Sequence, residues 1–99
     1  MHYVTVMYPN REGMRFDFDY YMSQHIPMVA RLLDATIEVT KGTETPSGTP
    51  ASFLYAARIR IRSLDEYQAA IAQHGAQIIG DIPNYTDVQP TVQIDEILS

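Results

Sequence analysis

The chain has 99 residues and a mass of 11.2 kDa, enough for one domain over residues 1–99. A chain this short buries only roughly 60–65% of its unfolded surface, which excludes a second core. Hydrophobic residues make up 45% and charged residues 19%, and the seven Tyr and three Phe carry too much apolar area for a disordered chain. Seven Lys+Arg against twelve Asp+Glu give a net charge of −5, which opposes binding to a nucleic-acid backbone.

The absence of cysteine excludes disulfides, thiolate nucleophiles and Cys-ligated metal centres. Lys41 is the only lysine, so Schiff-base chemistry would rest on that one residue. The longest apolar runs, Ile26–Ala30 and Phe53–Ala57, fall far short of the ~20 residues that cross a bilayer. No secretory signal is visible at the N-terminus, so no membrane partner is expected and the cytoplasm is the expected location.

The first strand is expected at His2–Tyr8, with Val4 and Val6 on one face and Tyr3, Thr5 and Met7 on the other. Both faces are largely apolar, so cover is expected on both sides. A turn follows at Pro9–Gly13. Asp17 is then placed to cap a helix, Asp19 favours the helix dipole, and Phe16 and Tyr21 form a hydrophobic staple. The helical stripe runs through Tyr21, Met22, His25, Val29, Leu32 and Leu33. Pro27 removes one N–H from it, which predicts a kink or two short helices meeting, with an end near Asp34.

Ala35–Lys41 alternates as a second strand, and Gly42–Pro50 is the longest loop and the expected mobile segment. Ser52–Arg62 is the strongest strand pattern: Phe53, Tyr55, Ala57, Ile59 and Ile61 share one face, and Arg58, Arg60 and Arg62 share the other. Ser63–Glu66 is a capping box that opens a second helix. Gly75 is a candidate stop, with Ala76–Gly80 available for a further turn. An aromatic-anchored loop at Asp81–Tyr85 leads to a last strand over Val88–Ile97.

This order is βαββαβ, the ferredoxin-like α+β arrangement: a four-stranded antiparallel sheet with two helices on one face. Tyr3, Thr5, Met7, Leu54 and Ala56 would then lie on the opposite face and exceed the apolar patch a monomer tolerates. An isologous homodimer with its sheets face to face is expected.

The segment Phe16–Pro27 reads F-D-x-D-Y-Y-x-x-x-H-x-P. With Tyr8-Pro9 before it and Asp81-Ile82-Pro83-Asn84-Tyr85-Thr86 after the second helix, it resembles the EthD family, named for a protein encoded with an ethyl tert-butyl ether degradation system. The resemblance covers nearly the whole chain and implies a dimeric α+β barrel. That superfamily also holds cofactor-free quinone-forming monooxygenases, muconolactone isomerase and haem-handling members. Some EthD-like fungal proteins act as lyases on polyketides. The fold alone does not choose among these.

His25 is the leading candidate for chemistry. It shares a helix face with Tyr21 and Val29, and a neutral imidazole in a half-apolar cleft serves as general base or acid. Its plainer reading is a buried histidine hydrogen-bonded to a carbonyl or carboxylate. Tyr21 is placed to orient His25 or to donate to a substrate oxygen, and Asp81 to pair with His25 or a substrate hydroxyl; the plainer readings are a rim tyrosine and an Asx turn. Tyr3, Tyr20, Tyr55, Asn84 and Tyr85 are the candidates for substrate contact. Arg58, Arg60 and Arg62 read either as an anion-binding stripe or as a ladder salt-bridged to Glu38, Asp95 or Glu96. His2, His25 and His74 lack metal-site spacing, and no nucleotide-binding or serine-hydrolase motif occurs, so neither metal nor cofactor is expected. Two functions remain open: a small catabolic or detoxifying enzyme working by His-assisted proton transfer on an apolar or aromatic molecule (an oxygenase, isomerase or lyase), and a non-catalytic ligand-binding or accessory protein of a degradation system.

Overall fold

The computed structural model describes residues 1–99. Strand β1 (His2–Pro9) leads into helix α1 (Phe18–Tyr20), a π-helical segment (Tyr21–His25) and helix α2 (Ile26–Leu33). Strands β2 (Thr36–Lys41) and β3 (Phe53–Ile61) follow, then helix α3 (Leu64–Asp81), a single 3₁₀ turn (Ile82–Asn84) and strand β4 (Thr91–Glu96). The sheet is antiparallel throughout, in the order β2-β3-β1-β4. This is the α+β ferredoxin-like arrangement expected from the element order.

Strand alternation sorts the core. Val4 faces Ile59 on β3 and Ile94 on β4, and Val4, Ile59 and Ile61 pack with Val29 of α2 beneath Leu64, Tyr67 and Ile78 of α3. At the other end of the same face, Tyr8, Tyr21, Tyr55 and Tyr85 form a second, aromatic core. The caps act as expected. Asp17 accepts from the Tyr20 N–H, and Ser63 accepts from the Glu66 N–H. Phe16 packs edge-on against Tyr21 with ring centroids 5.1 Å apart.

Pro27 falls where two short helices, α1 and α2, meet through the π segment. Tyr20, Tyr21, His25 and Ile26 keep right-handed helical dihedrals, and the Ile26 N–H bonds to the Tyr21 carbonyl, five residues back. The helix absorbs the missing donor by widening for one turn, and Pro27 then sits in the first turn of α2, where its ring is tolerated. The helix closes on Asp34, whose left-handed backbone (φ 48°) lets its N–H reach the Ala30 and Arg31 carbonyls.

Two expectations about these elements are corrected. Gly75 does not stop the second helix; it lies buried within α3, which continues to Asp81. The β2–β3 loop has its own hydrogen bonds, Thr45 N–H to Thr49 O at 2.8 Å and Gly48 N–H to Thr45 O at 2.9 Å. Gly42 at its start is required, because a Cβ there would lie 2.0 Å from the Phe53 carbonyl oxygen. The arginine ladder also does not form. Arg62 pairs with Asp34 and Glu66, Asp95 accepts from the Thr5 hydroxyl, and no ion pair joins Arg58 or Arg60 to Glu38, Asp95 or Glu96.

A clasp joins the two ends of the chain. Phe16 and Thr86 form an isolated β-bridge, the Asp17 N–H donates to the Tyr85 carbonyl at 2.7 Å, and the Thr86 hydroxyl donates to the Arg15 carbonyl at 2.7 Å. It fixes the start of the first helical run beside the end of α3. No helix is long and apolar enough to cross a membrane.

Candidate functional site

His25 ends the π segment and Asp81 ends α3, so the clasp brings them together. His25 Nδ1 lies 2.8 Å from Asp81 Oδ2. The other carboxylate oxygen accepts from the Tyr20 hydroxyl at 2.7 Å and from the Asn84 amide at 2.9 Å. Burial pushes the Asp81 carboxyl up, but the bonds from Tyr20, Asn84 and His25 outweigh it and hold the group below the ordinary carboxylate value. An ionised carboxylate only accepts, so Nδ1 carries the hydrogen and Nε2 keeps its lone pair. Burial lowers the His25 value, and the bond to Asp81 offsets it only in part, so the imidazole is neutral at neutral pH.

Tyr21 stacks on His25, with ring centroids 5.9 Å apart and planes 16° from parallel. The π turn sets this overlap by placing residues 21 and 25 on one side of a widened helix. Tyr21 is 1% exposed, and its hydroxyl is the one buried side-chain polar atom without a partner. Next to it the Tyr8 and Tyr85 hydroxyls bond to each other, and burial pushes Tyr8 up to about 12. Burial also raises Tyr21 and Tyr85, so all three phenols stay protonated across the physiological range.

A cavity of about 630 Å³ lies between the helix-covered face of the sheet and the helices α2 and α3. Val4, Val6 and Ile59 form its floor, Tyr8, Tyr21 and His25 one end, and Ile71, Gly75 and Ile78 the wall from α3. His25 Nε2 makes no hydrogen bond and is not among the sealed-off polar atoms, so it is open to this space. Ile79 and Val92, 67% and 53% exposed, form an apolar rim, with Asp87 the only carboxylate in the lining.

No family model matches the chain, and no curated protein does. Solved structures do. An EthD-like protein from Ralstonia eutropha JMP134 shares 42% identity over 99% of this chain and 92% of its own, with a TM-score of 0.93. The chain belongs to the EthD family. An ethyl tert-butyl ether degradation (EthD) family protein from Bacillus halodurans C-125 has the same fold at 20% identity and a TM-score of 0.79, covering 99% of both chains. HapK from Hahella chejuensis shares the fold at 15% identity and a TM-score of 0.62, over 100% of this chain and 94% of that one.

Within this EthD fold the residues read from sequence fall into three places. His25, Tyr21 and Asp81 are joined by stacking and a hydrogen bond, and the first two line the cavity. Tyr20 and Asn84 stand behind Asp81 as donors to its carboxylate and are not in the lining. Tyr85 is fully buried with its ring against His25 at 4.6 Å, and Tyr55 packs on Phe16 and Phe18 outside the lining. Tyr3 is elsewhere. Alternation along β1 puts it on the open face of the sheet, 6.0 Å below the Arg60 guanidinium, so it does not reach this cleft. Sequence reasoning missed Tyr8, although it continues the inward alternation of Val4 and Val6. It also missed Gly75 as a cavity wall. Nothing in the sequence marked Asp87.

Proposed function

We propose that this EthD family protein is a small catabolic or detoxifying enzyme that moves a proton on an apolar or aromatic organic molecule without a nucleotide cofactor. One observation carries the reading: a neutral histidine, oriented through Nδ1 by a carboxylate, presents its free Nε2 to a cavity with mostly apolar walls. Nε2 takes the substrate proton. Asp81 stabilises the imidazolium that forms, much as a carboxylate orients and supports a catalytic histidine elsewhere. Tyr21 stacks on the imidazole and holds its plane, while its hydroxyl is sealed off from the cavity. Cofactor-free oxygenation, isomerisation and elimination are each open to a substrate that has lost a proton in this way.

His25→Ala and Tyr21→Phe, assayed with phenols, quinones and lactones, test the reading. His25→Ala is expected to lower turnover by ~10²-fold or more with binding largely retained. Unchanged turnover on a genuine substrate removes His25 from the mechanism. Ligand binding with no turnover in the unaltered protein makes it a ligand-binding or accessory protein instead.

The reading includes a cytoplasmic homodimer. The accessible surface is 6346 Å², against about 5,700 Å² for a monomer of this mass. The Cα radius of gyration is 13.9 Å, against about 12.6 Å for a compact chain of this length. The molecule is a slab of 39 × 34 × 19 Å with helices on one side, and a second copy on the bare side of the sheet accounts for the excess.

A further inference from the structure

We propose that the molecule bound in this cleft is uncharged and mainly apolar, with one polar end: a carbonyl or hydroxyl oxygen beside an acidic C–H or O–H; carboxylates and phosphates are rejected. The proposal rests on the proton-transfer reading above and narrows it to a class of ligand.

The positions of the basic side chains carry the first half. None of the seven lines the cavity. Arg58 and Arg60 belong to the other face of the sheet, and Arg62 is tied to Asp34 and Glu66. Arg15 is exposed outside the lining, its guanidinium donating to the Pro83 carbonyl at 2.6 Å. Arg11, Arg31 and Lys41 are exposed outside the lining. The one charge in the lining is negative, Asp87, and Asp81 stands behind His25 outside the lining. An anion entering here would give up its water for apolar walls and the Asp87 carboxylate, with no cation in the lining to replace the lost solvation. An uncharged molecule has no such cost, and its apolar body crosses the exposed Ile79 and Val92 to enter.

The polar groups at the closed end carry the second half. His25 Nε2 only accepts, and the Tyr21 hydroxyl is sealed off from the cavity. A ligand that satisfies Nε2 brings an acidic hydrogen, and an adjacent oxygen makes that hydrogen acidic enough to pass to an imidazole. The step then balances without an added oxidant. A C–H or O–H bond breaks, an N–H bond forms at Nε2, and the electron pair is left on the oxygen as an enolate or phenolate. Returning the proton to another carbon completes a prototropic shift. Gly75 sets the room available for the body. A Cβ there would meet only Ile71 Cγ2, at 3.2 Å, so a larger side chain at 75 would grow into the cavity.

The probes are β-tetralone, an uncharged two-ring ketone with an acidic C–H beside its carbonyl, and β-naphthoate, a two-ring carboxylate of similar body. Calorimetric titration at neutral pH is expected to show β-tetralone binding ~10-fold or more tightly than β-naphthoate. Gly75→Leu, confirmed folded by circular dichroism, is expected to abolish that binding. Equal or tighter binding of β-naphthoate, no binding of either probe, or β-tetralone binding undiminished in Gly75→Leu overturns the ligand class. Deuterium exchange at the acidic C–H, followed by NMR, reports separately on the proton-transfer reading. Preferential β-tetralone binding with no exchange lost in His25→Ala sustains the ligand class and overturns the mechanism. Accelerated exchange with β-naphthoate bound equally well does the reverse.

Discussion

The Tyr21 hydroxyl is sealed from water and bonded to nothing. A buried polar group left in that state costs about 1–3 kcal/mol. Tyr21→Phe is therefore expected to raise the denaturation midpoint, and a midpoint that falls would show that the hydroxyl has a partner in the folded chain. The dyad makes stability depend on pH with a definite sign. The unfolded imidazole takes up a proton near 6.5, but burial, offset only in part by Asp81, holds the folded one to lower pH. Its contribution is whole above 6.5 and is lost as pH falls toward the folded value. The Asp81 carboxyl is also displaced downward, burial notwithstanding, by its three donors, so a second loss follows below its ordinary 3.8. Urea midpoints measured downward from neutral pH are expected to fall in these two stages, and His25→Gln is expected to lack the first. Tyr20 and Asn84 belong to this account as groups that position the carboxylate. Their place behind Asp81 was not legible in the sequence, because adjacency along a helix gives direction but not the partner on another element.

Features set by a few neighbouring residues were legible. Asp17 and Ser63 cap their helices through side-chain oxygens three residues from the N–H they satisfy, a geometry written locally. Ser63→Ala is expected to cost about 1 kcal/mol, read from the shift in denaturation midpoint; no shift would show that Arg62 and Glu66 hold the helix start unaided. Gly75 misled: its local preference is for a stop, yet α3 runs on through it to Asp81. The π turn keeps His25 and Tyr21 stacked despite the proline. Gly75 keeps its place within α3 where a side chain would fill the cavity. The fold followed from strand alternation and element order. The cavity did not, because its walls come from β1, β3, α2, α3 and the segment before β4, and no single periodicity records how far apart those elements stand.

For the whole molecule, the open sheet face predicts the assembly. Light scattering is expected to report a particle of about twice the 11.2 kDa chain mass, unchanged on dilution, and a stable particle of the single-chain mass would contradict the face-to-face pairing. The clasp between Phe16 and Thr86 bears on how such a chain matures. Its Thr86–Arg15 bond spans 71 positions of sequence, so His25 and Asp81 meet only after nearly the entire polypeptide has been gathered in. The ordering entropy of that closure falls late, after local helices and the β2–β3 hairpin have formed. A nascent or partly unravelled copy is thus expected to hold most of its secondary structure without the His25–Asp81 pair, which would be the last contact the chain acquires and the first it surrenders.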